Sequence, residues 1–320
     1  NYFCIMNLQE RISTFVKLGD YLKKDVFEDA KEQLLRVELR NPWFTQENIR
    51  RSLKIWSEQL NLDVLRSWLD PYMLKEVTNP KKVLVVMAGN IPLVGFHDLL
   101  SVLISGHKVI VKLSSNDNLL LKILIDKLIS ISPAFKSNIC YIDDIKDRNF
   151  DVVIATGNNN SSHYFEYYFK GLKKIIRKNR RSIAILDGSE SRAQLERLGD
   201  DIFAYFGLGC RNVSKLFLPK NFDLDTLFTA FFAYSSLLKH RKYANNYDYN
   251  KAVYLMGNNK LIENGFLLMK EDKSLHSPVA MLYYEYYDNI SSVSQFIKEN
   301  KINLQCIVSK EDIPFGSAQT

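Results

Sequence analysis

A chain of 320 residues that is 46% hydrophobic and 25% charged has the composition of an ordinary globular protein, which excludes a disordered chain. Its length allows one large domain or two of ordinary size, and no apolar run reaches the roughly 18 residues that open a membrane span. The net charge of +7, from 43 basic against 36 acidic residues, favours anionic partners but is explained first by a lysine-rich surface.

In chain order, residues 7 to 69 read as helices. Leu34, Leu35, Val37 and Leu39 stand in a polar background, and Ile49, Leu53 and Trp56 recur at helical spacing. Asn41-Pro42 interrupts this pattern, Thr45 restarts it, and Asp70-Pro71 ends it. From Lys81 the texture changes. Val83–Met87 is a short continuous apolar run, as a strand buried on both faces of a parallel sheet requires. A turn at Ala88-Gly89-Asn90-Ile91-Pro92 leads to a helix over 93–105 and a strand at Val109–Val111. A helix follows from Asn116 to Ile131, then strands at Ser137–Tyr141 and Asp151–Ala155. The pattern continues with a helix over Tyr164–Arg177 and a strand at Ser182–Leu186. Strands alternating with helices at this spacing indicate βαβ units. Right-handed crossovers then bring Gly89-Asn90, Lys112–Ser115 and Thr156-Gly157 to the one sheet edge where open α/β folds bind ligands.

Beyond residue 210 the pattern is looser. A strand is expected at Val213–Leu218 and a helix at Leu224–Leu238, with further strands at Ala252–Met256, Phe266–Met269, Val279–Tyr283 and Leu304–Val308. The expected organisation is an N-terminal helical region over 1–70, a dinucleotide-binding domain over 71–205 and a catalytic domain over 206–320. The boundary just before Cys210 would set that thiol in a cleft. The start at Asn1 is read as processing or clipping, and the end at Thr320 as truncation of the last domain.

Four cysteines (Cys4, Cys140, Cys210, Cys306) and five histidines are scattered without CxxC or metal-ligand spacing, so neither a disulfide framework nor a metal site is expected. A reducing cytoplasm suits free thiols. Cys210 differs from the others because it ends Phe206-Gly207-Leu208-Gly209-Cys210, where glycines let the backbone bend sharply and another molecule approach it. It reads either as a nucleophile or as a small buried hydrophobe after a helix that the glycines terminate. Seven basic residues between Lys170 and Arg181 read as a solvated helix end. The tyrosines at 283–287 lack the interleaved cations that nucleic acid would need, so no nucleic-acid partner is expected.

The motifs together resemble a known family. Gly89-Asn90-Ile91-Pro92-Leu93 looks like the Asn-Phe-Pro-Leu segment of the aldehyde dehydrogenase superfamily. Val109–Ser115 resembles its Val-Lys-Pro-Ser-Glu strand end, and Val153–Asn158 its Phe-Thr-Gly-Ser turn. Ser277-Pro278-Val279 is similar to its Gly-Pro-Val, and Pro314-Phe315-Gly316 to its Pro-Phe-Gly-Gly. Five matches in order, with Cys210 between the third and fourth, decide for the nucleophile. Tyr205–Ser214 looks most like the acyl-CoA reductases, which include the fatty-acid reductase subunit of bacterial luminescence systems. The resemblance covers residues 80 to 320 and implies an α/β, aldehyde-dehydrogenase-like fold. That fold has a Rossmann-type parallel sheet for the cofactor, an α/β catalytic domain and N-terminal helices.

The resemblance also assigns roles. Cys210 would attack an acyl-CoA and hold the acyl group as a thioester until hydride arrives. The Asn90 side chain and the Cys210 backbone N–H would stabilise the oxyanion, while Lys112, Ser115, Thr156 and Gly157 would hold the cofactor. Asn90 could otherwise stabilise the turn before Pro92, and Lys112 could be a lysine reaching out from a strand end.

Aldehyde-oxidising relatives carry a water-activating glutamate in Glu-Leu-Gly-Gly; the comparable Ser182–Gly188 has none, which points to a reductase. Ser274–Pro278 lacks the glutamate that holds the nicotinamide ribose in relatives, and His276 there reads as a loop histidine. Ser115 matches the glutamate that grips the adenosine ribose in NAD enzymes. A serine beside Lys112 would accept a 2′-phosphate, so NADPH is expected. Partnership with an acyl-activating synthetase and a transferase is implied by the resemblance alone. Assembly into a homo-oligomer is left open, since the stretch before Lys81 is short beside the superfamily's oligomerisation hairpin. Two rivals remain: an NAD(P)-dependent aldehyde dehydrogenase, and a non-catalytic partner-binding subunit.

Overall fold

The structure, a computed structural model, describes residues 6–24, 26–145 and 149–319; Asn1, Cys4 and Thr320 lie outside them. The chain forms two compact units, 1–178 and 179–320.

The first unit opens with helices α1 (Leu8–Lys23), α2 (Val26–Asp29), α3 (Lys31–Arg40), α4 (Gln46–Gln59) and α5 (Leu62–Leu69). Asn7, Thr45 and Asn61 cap α1, α4 and α5 by accepting hydrogen bonds from first-turn backbone N–H groups. The helical region does not stand apart as a domain. Phe15, Leu18, Phe44 and Ile49 are fully buried in the same core as Val85, Leu99, Val111 and Leu124. Apolar stripes this wide cannot be covered by five short helices alone, so they close one face of the sheet.

That sheet contains β1 (Lys82–Val86), β2 (Lys108–Lys112), β3 (Ile139–Tyr141), β4 (Val152–Thr156) and β5 (Lys173–Arg177) in the order β3-β2-β1-β4-β5, all parallel. Helices α6 (Phe96–Ile104), α7 (Leu120–Ile131) and α8 (Asn159–Tyr168) connect them. Alternation sends Val83 and Val85 to the helical core and Leu84 to a second core with Val153, Ala155 and Phe169.

Three expectations are corrected here. The helix expected over Tyr164–Arg177 stops at Tyr168, because Gly171 at φ +86° turns the chain back and Lys173–Arg177 becomes edge strand β5. The basic run is therefore an edge strand and its exit, where lysines discourage pairing with foreign strands. Helix α7 starts at Leu120 rather than Asn116, since Ser114 and Asp117 form a bridge before it.

The second unit contains β6 (Arg181–Ile185), α9 (Arg192–Phe203), β7 (Val213–Pro219), α10 (Leu224–Phe231) and α11 (Arg241–Met256). After these come β8 (Ile262–Glu263), β9 (Leu268–Glu271), β10 (Met281–Tyr287), α12 (Ile290–Asn300) and β11 (Leu304–Val308). The sheet order is β11-β6-β7-β10-β9-β8, parallel except for β8 against β9. One face packs Leu216, Leu218 and Leu282 against Leu198, Ile202 and Phe231; the other packs Ile183 and Phe217 against Val293 of α12. Strand β6 and helix α9, expected in a cofactor domain ending at 205, belong to this unit because β6 pairs with β7 and β11. The strand expected at Ala252–Met256 is the end of α11. Its Leu255 and Met256 are exposed, and no breaker precedes Gly257. Among the described residues no helix is long and apolar enough to cross a membrane.

Candidate active site

In the first unit the chain runs outward from β1 through β2 to β3, then returns to β4 on the other side of β1. The order therefore reverses between β1 and β4, and all strand C-termini share one edge. Crevices at such reversals are where open parallel sheets hold nucleotides. Asn90, Lys112, Ser115, Thr156 and Gly157 all lie at that edge, after β1, β2 and β4. Asn90 and Ser115 are exposed, and Lys112 and Thr156 are half-buried.

Two loops at this edge are locked together. A Cβ on Gly89 would lie 2.5 Å from Ser114 Oγ and 2.7 Å from Ser114 Cβ, so only glycine lets β1 turn against the β2 exit. Leu93 stands in the left-handed region at φ +62°, and its N–H donates to Asp117 Oδ2 at 3.0 Å. Asp117 is 4% exposed, and burial pushes its carboxyl up to about 6 against the pull of the Leu93 and Leu121 N–H groups. Sequence reasoning did not single out Asp117. Gly157 N–H donates to the Arg177 carbonyl (3.2 Å), and Asn158 caps α8 by accepting from Ser161 N–H (2.8 Å).

In the second unit Cys210 follows a strained turn. Tyr205, Phe206 and Gly207 adopt φ of +53°, +59° and +75° in succession, and both aromatic residues are buried. A non-glycine residue held in that region costs about 1–3 kcal/mol and persists only where its surroundings impose it. Asn212, 2% exposed, imposes it. Its Nδ2 donates to the carbonyls of Asp201 (3.0 Å), Ile202 (3.3 Å) and Ala204 (2.9 Å) at the end of α9, while Oδ1 accepts from Gly209 N–H (2.8 Å). Gly209 C=O accepts from Asn212 N–H at 3.1 Å. In a planar trans peptide the Cys210 N–H opposes that carbonyl, so it points out of the turn.

The Cys210 carbonyl accepts from Ser182 Oγ (3.0 Å), and the same hydroxyl touches Cys306 Sγ at 2.9 Å. Cys306, expected in an apolar strand, is buried in β11, whereas Cys140 is exposed in β3. Asp201 accepts from Gly316 N–H (2.6 Å) and Ala318 N–H (2.8 Å), and Arg211 Nε donates to Ala318 O, so Pro314-Phe315-Gly316 is fastened beside the turn. Burial pushes Asp201 up to about 6. Burial also pushes the partly exposed Cys210 thiol up, while Arg211, the Cys210 N–H, Arg181 and Arg180 pull it back. A thiol in such surroundings becomes a nucleophile only as nearby cations favour its thiolate. His276 lies against Arg181, with Nε2 3.2 Å from Nη2.

A family model described as acyl-CoA reductase (LuxC) matches residues 5–228, a span that includes Asn90, Lys112, Ser115, Thr156, Gly157 and Cys210. Among solved structures, aldehyde dehydrogenase 21 from Physcomitrella patens, in complex with the reaction product succinate, is 15% identical with a TM-score of 0.68, over 96% of this chain and 74% of that one. An aldehyde dehydrogenase from Mycobacterium tuberculosis complexed with NAD+ is 12% identical at TM-score 0.68, over 95% and 73%. The P. syringae indole-3-acetaldehyde dehydrogenase in complex with NAD+ is 13% identical at TM-score 0.66, over 95% and 72%. At these identities the likeness is one of fold. No curated protein sequence matches the chain.

Proposed function

The chain belongs to the acyl-CoA reductase (LuxC) family, and on that premise we propose that it reduces acyl-CoA to aldehyde with NADPH through a thioester on Cys210. The observation that carries the reading is the thiol itself. It is partly exposed at the end of a turn whose strain is fixed by buried hydrogen bonds.

The Cys210 thiolate attacks the acyl carbon, the carbonyl oxygen gains charge, and collapse expels CoA as its thiolate, leaving an S-acyl cysteine. By resemblance, the Cys210 N–H and the Asn90 side chain are assigned as the donors for that oxygen. Removal of one such donor costs about 3–4 kcal/mol of transition-state stabilisation. No glutamate stands in Ser182–Gly188 to activate water, so the acyl group waits for reduction rather than hydrolysis. NADPH, when bound, would supply the hydride. The thiohemiacetal on Cys210 then collapses to aldehyde and regenerates the thiolate.

The residues present suit NADPH. No carboxylate occurs in Lys112–Asn116, and Asp117, the next one along, is buried and committed to Leu93 N–H. The exposed Ser115 and nearby Lys112 are thus free of the negative charge that would repel a 2′-phosphate. Gly157, where a Cβ would meet Ser161 Cβ at 2.8 Å, keeps the main chain open at the start of α8 beside Thr156. We assign the reaction to a reducing cytoplasm and, by family resemblance, to work beside an acyl-activating synthetase and a transferase.

The test is product analysis. With acyl-CoA and NADPH, one aldehyde and one free CoA should appear per NADPH consumed, and Cys210→Ala should abolish all three changes. Acid formed from aldehyde and NAD(P) without CoA would replace this reading with an aldehyde dehydrogenase.

A further inference from the structure

Arg177 is one of the seven cations in the basic run, and the fold separates it from the rest. Alternation along β5 sends Lys174 and Ile176 to the α8 face. There Ile176 joins the core of Ala155 and Phe169, and Lys174 Nζ is taken up by Glu166 (Oε2 at 3.0 Å, backbone O at 2.9 Å). Arg177 stands on the opposite face. It pairs in register with Thr156, which shares its face with Ile154 and so with the core that contains α6. Arg177 also ends β5 at the edge where the strand C-termini gather, and its carbonyl accepts the Gly157 N–H at 3.2 Å.

The guanidinium is held from behind by Asp98. Nη1 makes a short ion pair with Asp98 Oδ1, and His97 Nδ1 lies 3.9 Å from the same oxygen. Asp98 is 4% exposed, in the first turn of α6. Burial alone would raise its carboxyl, but the contacts from His97 and Arg177 outweigh burial and hold it below the ordinary aspartate value. Helix α6 follows β1, and β4 lies between β1 and β5. The arginine arm therefore runs across the end of β4, beside Thr156, at the reversal between β1 and β4 where parallel sheets hold nucleotides. The pair is lopsided: the Asp98 side chain is 6% exposed and that of Arg177 42%. The ion pair occupies only part of the guanidinium's fork of donors, and the remainder faces outward.

We propose that Arg177, aimed by Asp98, binds the pyrophosphate of a nucleotide laid across this edge; the inference rests on the reading of the edge as a nucleotide site. A guanidinium fork matches phosphate oxygens bidentately. Helix α8 begins at Asn159, just beyond Thr156-Gly157, and adds the positive end of its dipole. Lys112 and Ser115, assigned to the 2′-phosphate, follow β2, which lies two strands from β4. Two strand spacings are about 10 Å, so a dinucleotide anchored at Lys112 brings its pyrophosphate, rather than its 2′-phosphate, to Arg177. Coenzyme A carries a pyrophosphate too, and titration separates the two sources.

The test is equilibrium binding without turnover, by fluorescence for NADPH and calorimetry for CoA and adenosine 2′-monophosphate. Arg177→Gln should weaken binding of the pyrophosphate-bearing nucleotide by about an order of magnitude and flatten its dependence on salt. Adenosine 2′-monophosphate, which has no pyrophosphate, should bind both chains alike. Arg177→Lys, which keeps the charge without the fork, should retain part of the affinity. Arg177→Gln leaves Asp98 buried and unpaired, so the double substitution with Asp98→Asn is measured beside it and should show the same loss. Asp98→Ala should weaken binding by less, and Asp98→Asn, which keeps an acceptor for the guanidinium, should not. Loss confined to NADPH assigns Arg177 to the cofactor, and loss confined to CoA assigns it to the substrate's nucleotide. Unchanged affinity for both nucleotides in the double variant, or an equal loss for adenosine 2′-monophosphate, overturns the proposal while leaving the reductase reading intact. An Asp98→Ala chain that binds as the unsubstituted one does overturns the aiming role. An unsubstituted chain that binds neither NADPH nor CoA overturns the reductase reading and this proposal together.

Discussion

Replacing Asn212 tests what holds the thiol in place. The side-chain amide has two protons for three carbonyls at the end of α9, and its oxygen serves Gly209 N–H. Counting two full donated bonds and one accepted bond at about 1 kcal/mol net each, Asn212→Ala should destabilise the second unit by roughly 3 kcal/mol. Asn212→Asp is the sharper perturbation. It preserves shape and the bond from Gly209 but turns a second acceptor toward three carbonyl oxygens in a buried place. The expected loss therefore exceeds that of alanine, and it should shrink as pH falls, because a protonated aspartate regains one donor. Tryptophan fluorescence cannot read this, since Trp43, Trp56 and Trp68 all lie in the first unit. Peptide-resolved hydrogen exchange over 201–212 can. Single-turnover acylation measured in parallel should fall with protection, because the strained turn carries Cys210. An aspartate variant as protected as the unsubstituted chain, or an alanine variant within about 0.5 kcal/mol of it, would refute the reasoning.

Three further outcomes are expected. Gly89→Ala should weaken NADPH binding and stability, the latter by about 1–3 kcal/mol, because the added Cβ meets Ser114; Ser114→Gly in the same chain should recover part of both, as fluorescence titration and thermal melts would show. Ser115→Glu should raise the KM for NADPH by about tenfold or more while affecting NADH less, since the new carboxylate repels a 2′-phosphate. Asp117 and Asp201 sit at about 6, above the ordinary aspartate value, so the folded chain binds these protons more tightly than the unfolded one. Their contribution to stability is complete below the ordinary aspartate range and is lost as pH rises through about 6. Asp117→Asn should flatten that decline in unfolding midpoint, and an unchanged pH dependence would contradict it.

Much of the scaffold was legible because parallel strands buried on both faces leave continuous apolar runs. Val83–Met87 and Asp151–Ala155 were located within a residue for that reason. Strand β5 was hidden because Lys173-Lys174-Ile175-Ile176-Arg177 faces solvent along an edge and lacks that signature. The domain boundary was misplaced for a related reason: β6 resembles the preceding strands, and only its pairing with β7 and β11 assigns it to the second unit. At the site, motif spacing led to Cys210, Asn90 and the cofactor edge. It passed over Asn212, Asp117 and Ser182, whose roles rest on which carbonyl, amide or thiol each faces. Asn212 stood inside the quoted motif two residues after the cysteine, but nothing in a linear string says that its amide meets the end of α9.

The most direct measurement of the central claim is acyl trapping. Incubating the protein with acyl-CoA labelled in the acyl group, without NADPH, should place label on the peptide containing Cys210, releasable by neutral hydroxylamine and absent in Cys210→Ala. Adding NADPH should convert that label to aldehyde. Label that never appears on Cys210, or that persists in Cys210→Ala, would contradict the account.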